Sequence, residues 1–286
     1  MKREKAVPYF FLLPAFIGII IFKLYPIIDA FIESLSTASF KAGERLFVGM
    51  ENYWLLFKDP VFWNSFKVTL WLNVFINPIQ IACAFILAIL LNQKIKGIGL
   101  FRAIHFIPIA VSMPIALIMW NVMLNPEQGV INTILVAMGL DAQPFLGSKA
   151  QALWIIILIA SWKGIGYWAI FLLAGLQEVP KFLYEASSID GAGKWQQFKN
   201  VTLPMMKRPL AFVIVADTVA NFLLFAPMYI LTKGGPENST NVLMNESFNS
   251  AFVYSDMGRA SAIVMILLVL ILLIILAEFK LLKAKH

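Results

Sequence analysis

The sequence predicts an all-α, polytopic membrane protein with six transmembrane helices, and three observations carry that prediction. Its 286 residues are 60% hydrophobic and only 14% charged, whereas a soluble domain of this size carries about a quarter charged residues. Runs of ~20 apolar residues recur along the chain, the length a helix needs to cross the hydrocarbon core. The basic residues fall in short clusters between those runs. A formal charge of +7 therefore reads as a set of topology signals, not as a nucleic-acid-binding patch.

The expected spans are Tyr9–Ile28, Val68–Leu91, Ala103–Leu124, Ala152–Leu176, Leu210–Leu231 and Ala260–Ala277. The first follows Met-Lys-Arg-Glu-Lys, as a signal peptide would. It is too long for such a segment and runs into Lys23, Tyr25 and Pro26 without a small-residue cleavage site, so it is read as retained. Lys23 is placed near the outer end of this span, where its ammonium can snorkel. The second span holds the lone Cys83, which has no partner for an intrachain disulfide, and Asn77-Pro78. The third, entered at Arg102 and His105, contains Pro108 and Pro114, and the fifth contains Pro227. Proline removes a backbone donor and kinks a helix. In lipid the freed carbonyls are tolerated only where protein or a watery cavity covers them. These breaks read either as packing kinks or as the lining of a solute pathway. With two histidines, His105 and His286, no metal cage is expected; His105 is read as interfacial or packing.

Orientation follows from lysine and arginine. Lys2, Arg3 and Lys5; Lys94, Lys96 and Arg102; Lys181, Lys194, Lys199, Lys207 and Arg208; and Lys280, Lys283 and Lys285 fall on one side. Lys41, Arg45, Lys58, Lys67, Lys149, Lys233 and Arg259 make the alternate, poorer set, which also carries acids from Asp29 and Glu33 through Glu44 to Asp256. Both termini are thus expected in the cytoplasm. The chain reads as one transmembrane domain over 1–286, with a cytoplasmic loop at 178–204. The outer segments carry turn chemistry, such as Asn125-Pro126 and Gly234-Gly235-Pro236. Asn238-Ser239-Thr240 matches a glycosylation acceptor, a pattern common by chance.

The loop between spans four and five is the most informative stretch. Pro180 suits a helix start. Phe182, Leu183, Ala186 and Ile189 then form a helical stripe, which Asp190-Gly191 ends because glycine accepts a positive φ. A second stripe holds Trp195, Phe198 and Val201 before Leu203-Pro204. A helix, glycine turn and helix this short and polar cannot span. It either lies on the membrane as an amphipathic hairpin or docks a cytoplasmic partner.

The run Tyr184-Glu-Ala-Ser-Ser-Ile-Asp-Gly-Ala-Gly-Lys-Trp-Gln-Gln-Phe, closing in Val-Thr-Leu-Pro, resembles the EAA loop of ABC importer permeases, with Ser187 where the second alanine is usual. Tyr229-Ile-Leu-Thr-Lys-Gly-Gly-Pro-Glu-Asn-Ser-Thr, Tyr254 and Asp256-Met-Gly258-Arg-Ala-Ser-Ala are similar to the carbohydrate-uptake branch and its maltose-type first permease subunit. The resemblance implies a cytoplasmic EAA-type coupling helix that docks on a separate ATPase dimer. Tyr184, Glu185, Ala186, Ile189, Asp190, Gly191 and Trp195 would form it: Glu185 meets polar groups of the ATPase, Gly191 makes the turn, and Tyr184, Ile189 and Trp195 pack either there or within the hairpin. It also implies a second permease subunit, in a heterodimer, an extracytoplasmic solute-binding protein, and a bacterial or archaeal cytoplasmic membrane.

No G-x-x-x-x-G-K-[ST] phosphate loop occurs in the sequence, so ATP and magnesium are expected in the partner ATPase and no cofactor or enzymatic activity in this chain. Charged groups inside spans usually face a cavity or a partner, which singles out Lys163 and Asp217. They are read as an interhelical ion pair or as cavity lining. Trp162, Tyr167, Asn221, Phe222 and Phe225 supply the aromatic faces and amide that a sugar path uses. The expected cargo is a sugar or oligosaccharide. Glycerol phosphate or a related polyol is the alternative, for which Lys163 would meet the phosphate. An ion-coupled secondary carrier is the rival class; it would need buried carboxylates and an inverted repeat, and only Asp217 is a clear intramembrane carboxylate.

Overall fold

A computed structural model describes residues 7–38, 45–93 and 95–283. Of the charges used above, Lys2, Arg3, Lys5, Lys41, Glu44, Lys94 and Lys285 lie outside the described residues, as does His286.

Helix α1 (Val7–Ile19) passes through a π-helical turn, Ile20–Leu24, into α2 (Tyr25–Ser34). Pro26 sits in the first turn of α2, where its missing N–H matters least. The helix therefore runs beyond the expected end at Ile28. Lys23 lies in the π-helical turn, within the apolar segment Phe11–Ser34. A short antiparallel ribbon follows, β1 (Ser36–Ala38) with β2 (Arg45–Phe47), Thr37 opposite Leu46. It is followed by α3 (Glu51–Lys58) and the long α4 (Pro60–Leu91), which absorbs Pro78.

The third expected span is two helices, α5 (Ile98–Ala110) and α6 (Met113–Met123), bent by 98°. Pro114 takes the first turn of α6, because a proline that cannot continue one helix is suited to start the next. After α7 (Val130–Ala137) comes α8 (Ala152–Glu178), then α9 (Lys181–Ile189), α10 (Lys194–Gln197), α11 (Leu203–Met205) and α12 (Lys207–Phe222). The fifth expected span, Leu210–Leu231, is an interrupted helix, as Pro227 predicts. It stops at Phe222 and resumes as a helical turn leading into Met228–Thr232. Pro227 offers no N–H, and its ring would collide with the carbonyl of Leu223, so the ladder cannot run through. The chain closes with α13 (Leu243–Phe248) and α14 (Met257–Lys283). Among the described residues four helices are long and apolar enough to cross a membrane, five if the bent pair counts as one.

The chain divides into two compact units, Met1–Trp63 with Glu246–Leu270 and Asn64–Asn245 with Ile271–His286. In the first, Asn52 Nδ2 donates to the Ser34 and Ser36 carbonyls, each at 2.9 Å. Gly258 lies under this contact: a Cβ there would collide with the Ser36 carbonyl and stand 2.8 Å from Asn52 Nδ2. Gly258→Val is expected to destabilise the protein by about 1–3 kcal/mol through overpacking, read as a lower unfolding midpoint in detergent. Asp256 Oδ1 accepts from the Arg259 N–H at 2.9 Å and caps α14.

In the second unit two of the apolar clusters join α4 to its neighbours. One joins Ala84, Ala88 and Leu91 to Leu172, Leu173, Leu176, Met206 and Val213. The other joins Val68, Leu72 and Ile76 to Ile156, Ile157, Ala160 and Met228. Along α4, the buried Gln80 falls between the two clusters, with Asn77 beside it and Asn73 among the residues of the second. In lipid such polar side chains hold helices together, each hydrogen bond contributing about 0.6 kcal/mol on average.

Candidate functional site

The polar belt is built from three helices of the second unit. On α4, Asn73, Asn77 and Gln80 recur at helical spacing and so share a face. On α12, Asp217, Thr218 and Asn221 do the same. Asn221 Nδ2 donates to Asn77 Oδ1 at 2.7 Å and lies 3.1 Å from Asp217 Oδ1 and 3.2 Å from Gln80 Oε1. Thr218 extends the network: its Oγ1 donates to Glu278 Oε1 of α14 at 2.8 Å and accepts from Asn77 Nδ2 at 3.3 Å. Gly164 of α8 permits the approach of Gln80, since a Cβ there would lie 2.8 Å from the amide. Gly166 does the same for α5, where a Cβ would lie 2.6 Å from the His105 carbonyl.

Two cavities flank this belt. One, of about 400 Å³, is lined by Gln80, Lys163, Gly164, Tyr167, Trp168, Asp217 and Asn221 among others. The second, of about 580 Å³, is lined by Asn73, Asn77, Thr218, Phe222 and Glu278 with aliphatic neighbours. Of the solute residues expected from sequence, Lys163, Tyr167, Asp217 and Asn221 meet at the first cavity. Phe222 lines the second. Trp162 instead packs edge-on against Trp120, centroids 5.8 Å apart, and Phe225 stacks on Tyr229 at 5.2 Å. Sequence reasoning missed Gln80, Trp168 and Thr218. The spacing of Asn73, Asn77 and Gln80 was the available signal, obscured because Asn77-Pro78 reads first as a helix break.

Lys163 and Asp217 do not form the ion pair entertained from the sequence. Lys163 Nζ donates to the Pro108 carbonyl at 2.8 Å and to the Val111 carbonyl. Both carbonyls belong to the break after α5, where a helix end leaves acceptors unsatisfied and carries partial negative charge. The ammonium thus caps the bent pair. Asp217 is fully buried: Oδ1 faces Asn221, the Trp168 indole lies alongside, and Oδ2 has no hydrogen bond among the described residues.

The loop at 178–204 forms a helix, a glycine turn and a second short helix. Pro180 stands just before α9, and Gly191 takes φ +79°. The Asp190, Gly191 and Ala192 N–H groups bond back to Ala186, Ser188 and Ser187 at 3.0, 3.1 and 2.9 Å. The Tyr184 carbonyl accepts from Ser187, Ser188 and Gln197, and its hydroxyl meets Thr202 Oγ1 at 3.0 Å. Tyr184 therefore belongs to the interior of the hairpin. Glu185, Ala186, Asp190 and Gly191 lie on its surface, and Ile189 and Trp195 are 87% and 73% exposed. Trp195 stacks on Phe198 at 5.4 Å, which fixes its ring while leaving a face open.

In the segment after Met228–Thr232, Thr240 is buried and bonds the Gly235 carbonyl at 2.8 Å, so Asn238-Ser239-Thr240 has a structural role in the turn. Lys149 Nζ meets Glu237 Oε2 at 2.8 Å and holds that carboxyl below its ordinary pKa. Both side chains are exposed. Lys149→Met should return the Glu237 carboxyl toward its usual value in a titration followed by NMR and leave the unfolding midpoint unchanged.

A family profile described as binding-protein-dependent transport system inner membrane component matches residues 80–280. The probable ABC transporter permease protein YurN of Bacillus subtilis is 36% identical over 99% of this chain and 98% of its own. The arabinooligosaccharides transport system permease protein AraP of Bacillus subtilis is 34% identical over 97% of this chain and 89% of its own. The fold is similar to that of a bacterial alginate ABC transporter solved with an alginate pentasaccharide-bound periplasmic protein. That likeness has a TM-score of 0.85 and 24% identity, over 98% of this chain and 95% of that one.

Proposed function

The chain belongs to the family of binding-protein-dependent transport system inner membrane components, and from that premise we propose that it is the permease subunit of an ATP-driven importer of a sugar or oligosaccharide. The observation that carries the reading is the cavity where Gln80, Lys163, Tyr167, Asp217 and Asn221 meet among apolar and aromatic side chains, on helices of the matched region. Amide and carboxyl groups beside aromatic faces are the chemistry that holds a hydroxyl-rich solute. AraP, whose printed name concerns arabinooligosaccharides, supports that cargo class.

In this reading the chain crosses the membrane six times, with both termini in the cytoplasm. The fifth crossing is assembled from α12 and the broken segment that leads into Met228–Thr232. A second permease completes the path, a solute-binding protein delivers the sugar outside, and ATP is hydrolysed in a separate ATPase dimer. The hairpin α9–Gly191–α10 docks on that ATPase through Glu185, Ala186, Ile189, Asp190 and Trp195, with Tyr184 bracing it from within. Ile189 and Trp195 support this assignment, because apolar side chains so exposed on a polar loop are suited to a partner's groove. ATP binding closes the ATPase, moves the hairpins as rigid bodies and opens the permeases outward. Hydrolysis returns them. Each ligand biases the equilibrium only by its differential affinity for the two states.

Proteoliposomes holding the chain with its partner permease, ATPase and binding protein provide the test. ATP-dependent accumulation of one member of a sugar panel is the expected result. Uptake that ignores ATP and follows an ion gradient would overturn it. Asn221→Leu removes the amide shared by Asn77, Gln80 and Asp217 and should reduce uptake about tenfold or more in the same assay, with assembly retained.

A further inference from the structure

We infer that the cleft where the ends of α4, α5 and α8 meet α9 holds the phosphodiester headgroup of an anionic phospholipid, gripped by Arg102 and Lys181. The site requires that the chain span the membrane and is independent of the cargo.

Helix α4 ends at Leu91, α5 begins at Ile98 and α8 ends at Glu178. Each belongs to a segment apolar enough to cross a membrane, α5 as half of the bent pair. Their ends therefore lie at the level of the lipid headgroups. A cavity of about 440 Å³ opens there, bounded by Asn92 and Gln93 after α4, Arg102 of α5, Gln177 of α8, and Lys181 and Tyr184 of α9.

The polar groups around this cavity are donors in excess. Arg102 is partly buried. Its Nε and Nη2 donate to the Leu91 carbonyl at 3.2 and 2.8 Å, which fixes the guanidinium and leaves Nη1 over. Lys181 has no hydrogen bond or ion pair among the described residues, and the side-chain amides of Asn92, Gln93 and Gln177 have no hydrogen bond there either. No acid among the described residues lines the cavity; Glu178 and Glu185 adjoin lining residues in sequence but stand outside the wall. Two cations and three free amides around one space without a carboxylate form an anion site, and a planar guanidinium suits a phosphate.

The remaining wall selects among anions. Ile98, Leu176 and Val179 make it apolar on one side, and α5 beyond Arg102 exposes Ile104 and Ile107, along which an acyl chain can run. A soluble phosphate gains nothing from these surfaces. Basic pockets between spans at the membrane surface bind anionic lipid headgroups. A choline headgroup would bring its own cation beside Arg102 and Lys181 and is disfavoured. Held from α5 and α9 at once, the headgroup braces the hairpin against the span ends.

The test uses the full chain in nanodiscs of mixed phosphatidylcholine and phosphatidylglycerol, with native mass spectrometry to count the lipids that stay bound. The wild type is expected to retain phosphatidylglycerol in preference to phosphatidylcholine. Lys181→Gln should weaken that retention about fivefold, the contribution of one basic residue near a charged membrane surface, and Lys181→Arg should restore it. Lys149→Gln, the same loss of charge on an exposed lysine elsewhere, should leave retention unchanged. Arg102→Gln also removes the bonds to Leu91, so Lys181 carries the decision. Amide exchange in α9 should be slower with phosphatidylglycerol than with phosphatidylcholine alone, and this difference should vanish in Lys181→Gln. Equal retention of the two lipids by the wild type, wild-type retention in Lys181→Gln, an equal loss in Lys149→Gln or α9 exchange indifferent to lipid would each overturn the inference. Calorimetry with inorganic phosphate in nanodiscs of phosphatidylcholine alone should show no binding; binding that depends on Lys181 would assign the cavity to a soluble anion and overturn the lipid. None of these readings depends on ATP-driven uptake, so the importer reading stands or falls separately.

Discussion

Gly191→Pro should abolish ATP-driven uptake while the complex still inserts and assembles. Gly191 sits at φ +79° between α9 and α10, and its N–H bonds to the Ser188 carbonyl at 3.1 Å. Proline locks φ near about −65° and has no N–H, so both features are lost together. The two short helices would then leave the turn at a different angle, and the exposed Ile189 and Trp195 would no longer present one joint surface. The damage stays local, because the hairpin surface is solvent-exposed and the apolar clusters of the second unit do not include Gly191. Uptake is expected to fall tenfold or more, a loss of about 1.4 kcal/mol or greater in coupling. The ATPase should also stop responding to loaded binding protein. Gly191→Ala is the graded control: no atom lies within 4 Å of the added Cβ, so only the left-handed backbone opposes it, at about 1–2 kcal/mol. It should show intermediate uptake. Wild-type uptake in Gly191→Pro would remove the hairpin from the coupling path.

Arg259→Met is expected to destabilise the first unit by about 3 kcal/mol, the usual consequence of removing one partner from a buried charge cluster. Arg259 Nη2 lies 2.5 Å from Asp59 Oδ2 and 2.8 Å from Glu246 Oε1, while Nε donates to Ser250 Oγ at 3.1 Å. The Glu246 side chain is only 3% exposed, so without the guanidinium two carboxylates face each other with little water to screen them. The expected reading is a marked fall in the unfolding midpoint in detergent and reduced recovery of intact protein. Adding Asp59→Asn and Glu246→Gln should return much of the loss, since removing a whole charge cluster is often near neutral. An unchanged midpoint in Arg259→Met alone would show that the cluster adds no stability.

These predictions draw on two different kinds of information. The membrane class, the apolar segments and the hairpin are local properties. A run of apolar residues must leave water whatever surrounds it, and Asp190-Gly191 ends a helix through its own backbone preference. The stripe at Phe182, Leu183, Ala186 and Ile189 and the second at Trp195, Phe198 and Val201 were therefore legible before any coordinates. So were the prolines of the third and fifth segments as breaks, although not the 98° bend between α5 and α6.

Partner choice was not legible, because it depends on which helices meet and at what depth. Lys163 and Asp217 look like an ion pair on sequence grounds, being opposite charges in adjacent spans. The fold gives the ammonium two nearer acceptors at the broken end of α5 and leaves the carboxyl to Asn221. Gln80 looked like an ordinary polar residue until Gly164 was seen to admit it against α8. Likewise Tyr184, Ile189 and Trp195 formed one candidate group in the sequence, and only packing divides them into a brace and two exposed anchors. Which segments are apolar and where the loop at 178–204 turns was determined by the sequence itself, since those depend on solvation and local backbone energy. Which polar groups satisfy one another was decided by the tertiary structure, because a hydrogen bond requires atoms distant in sequence to arrive within about 3 Å.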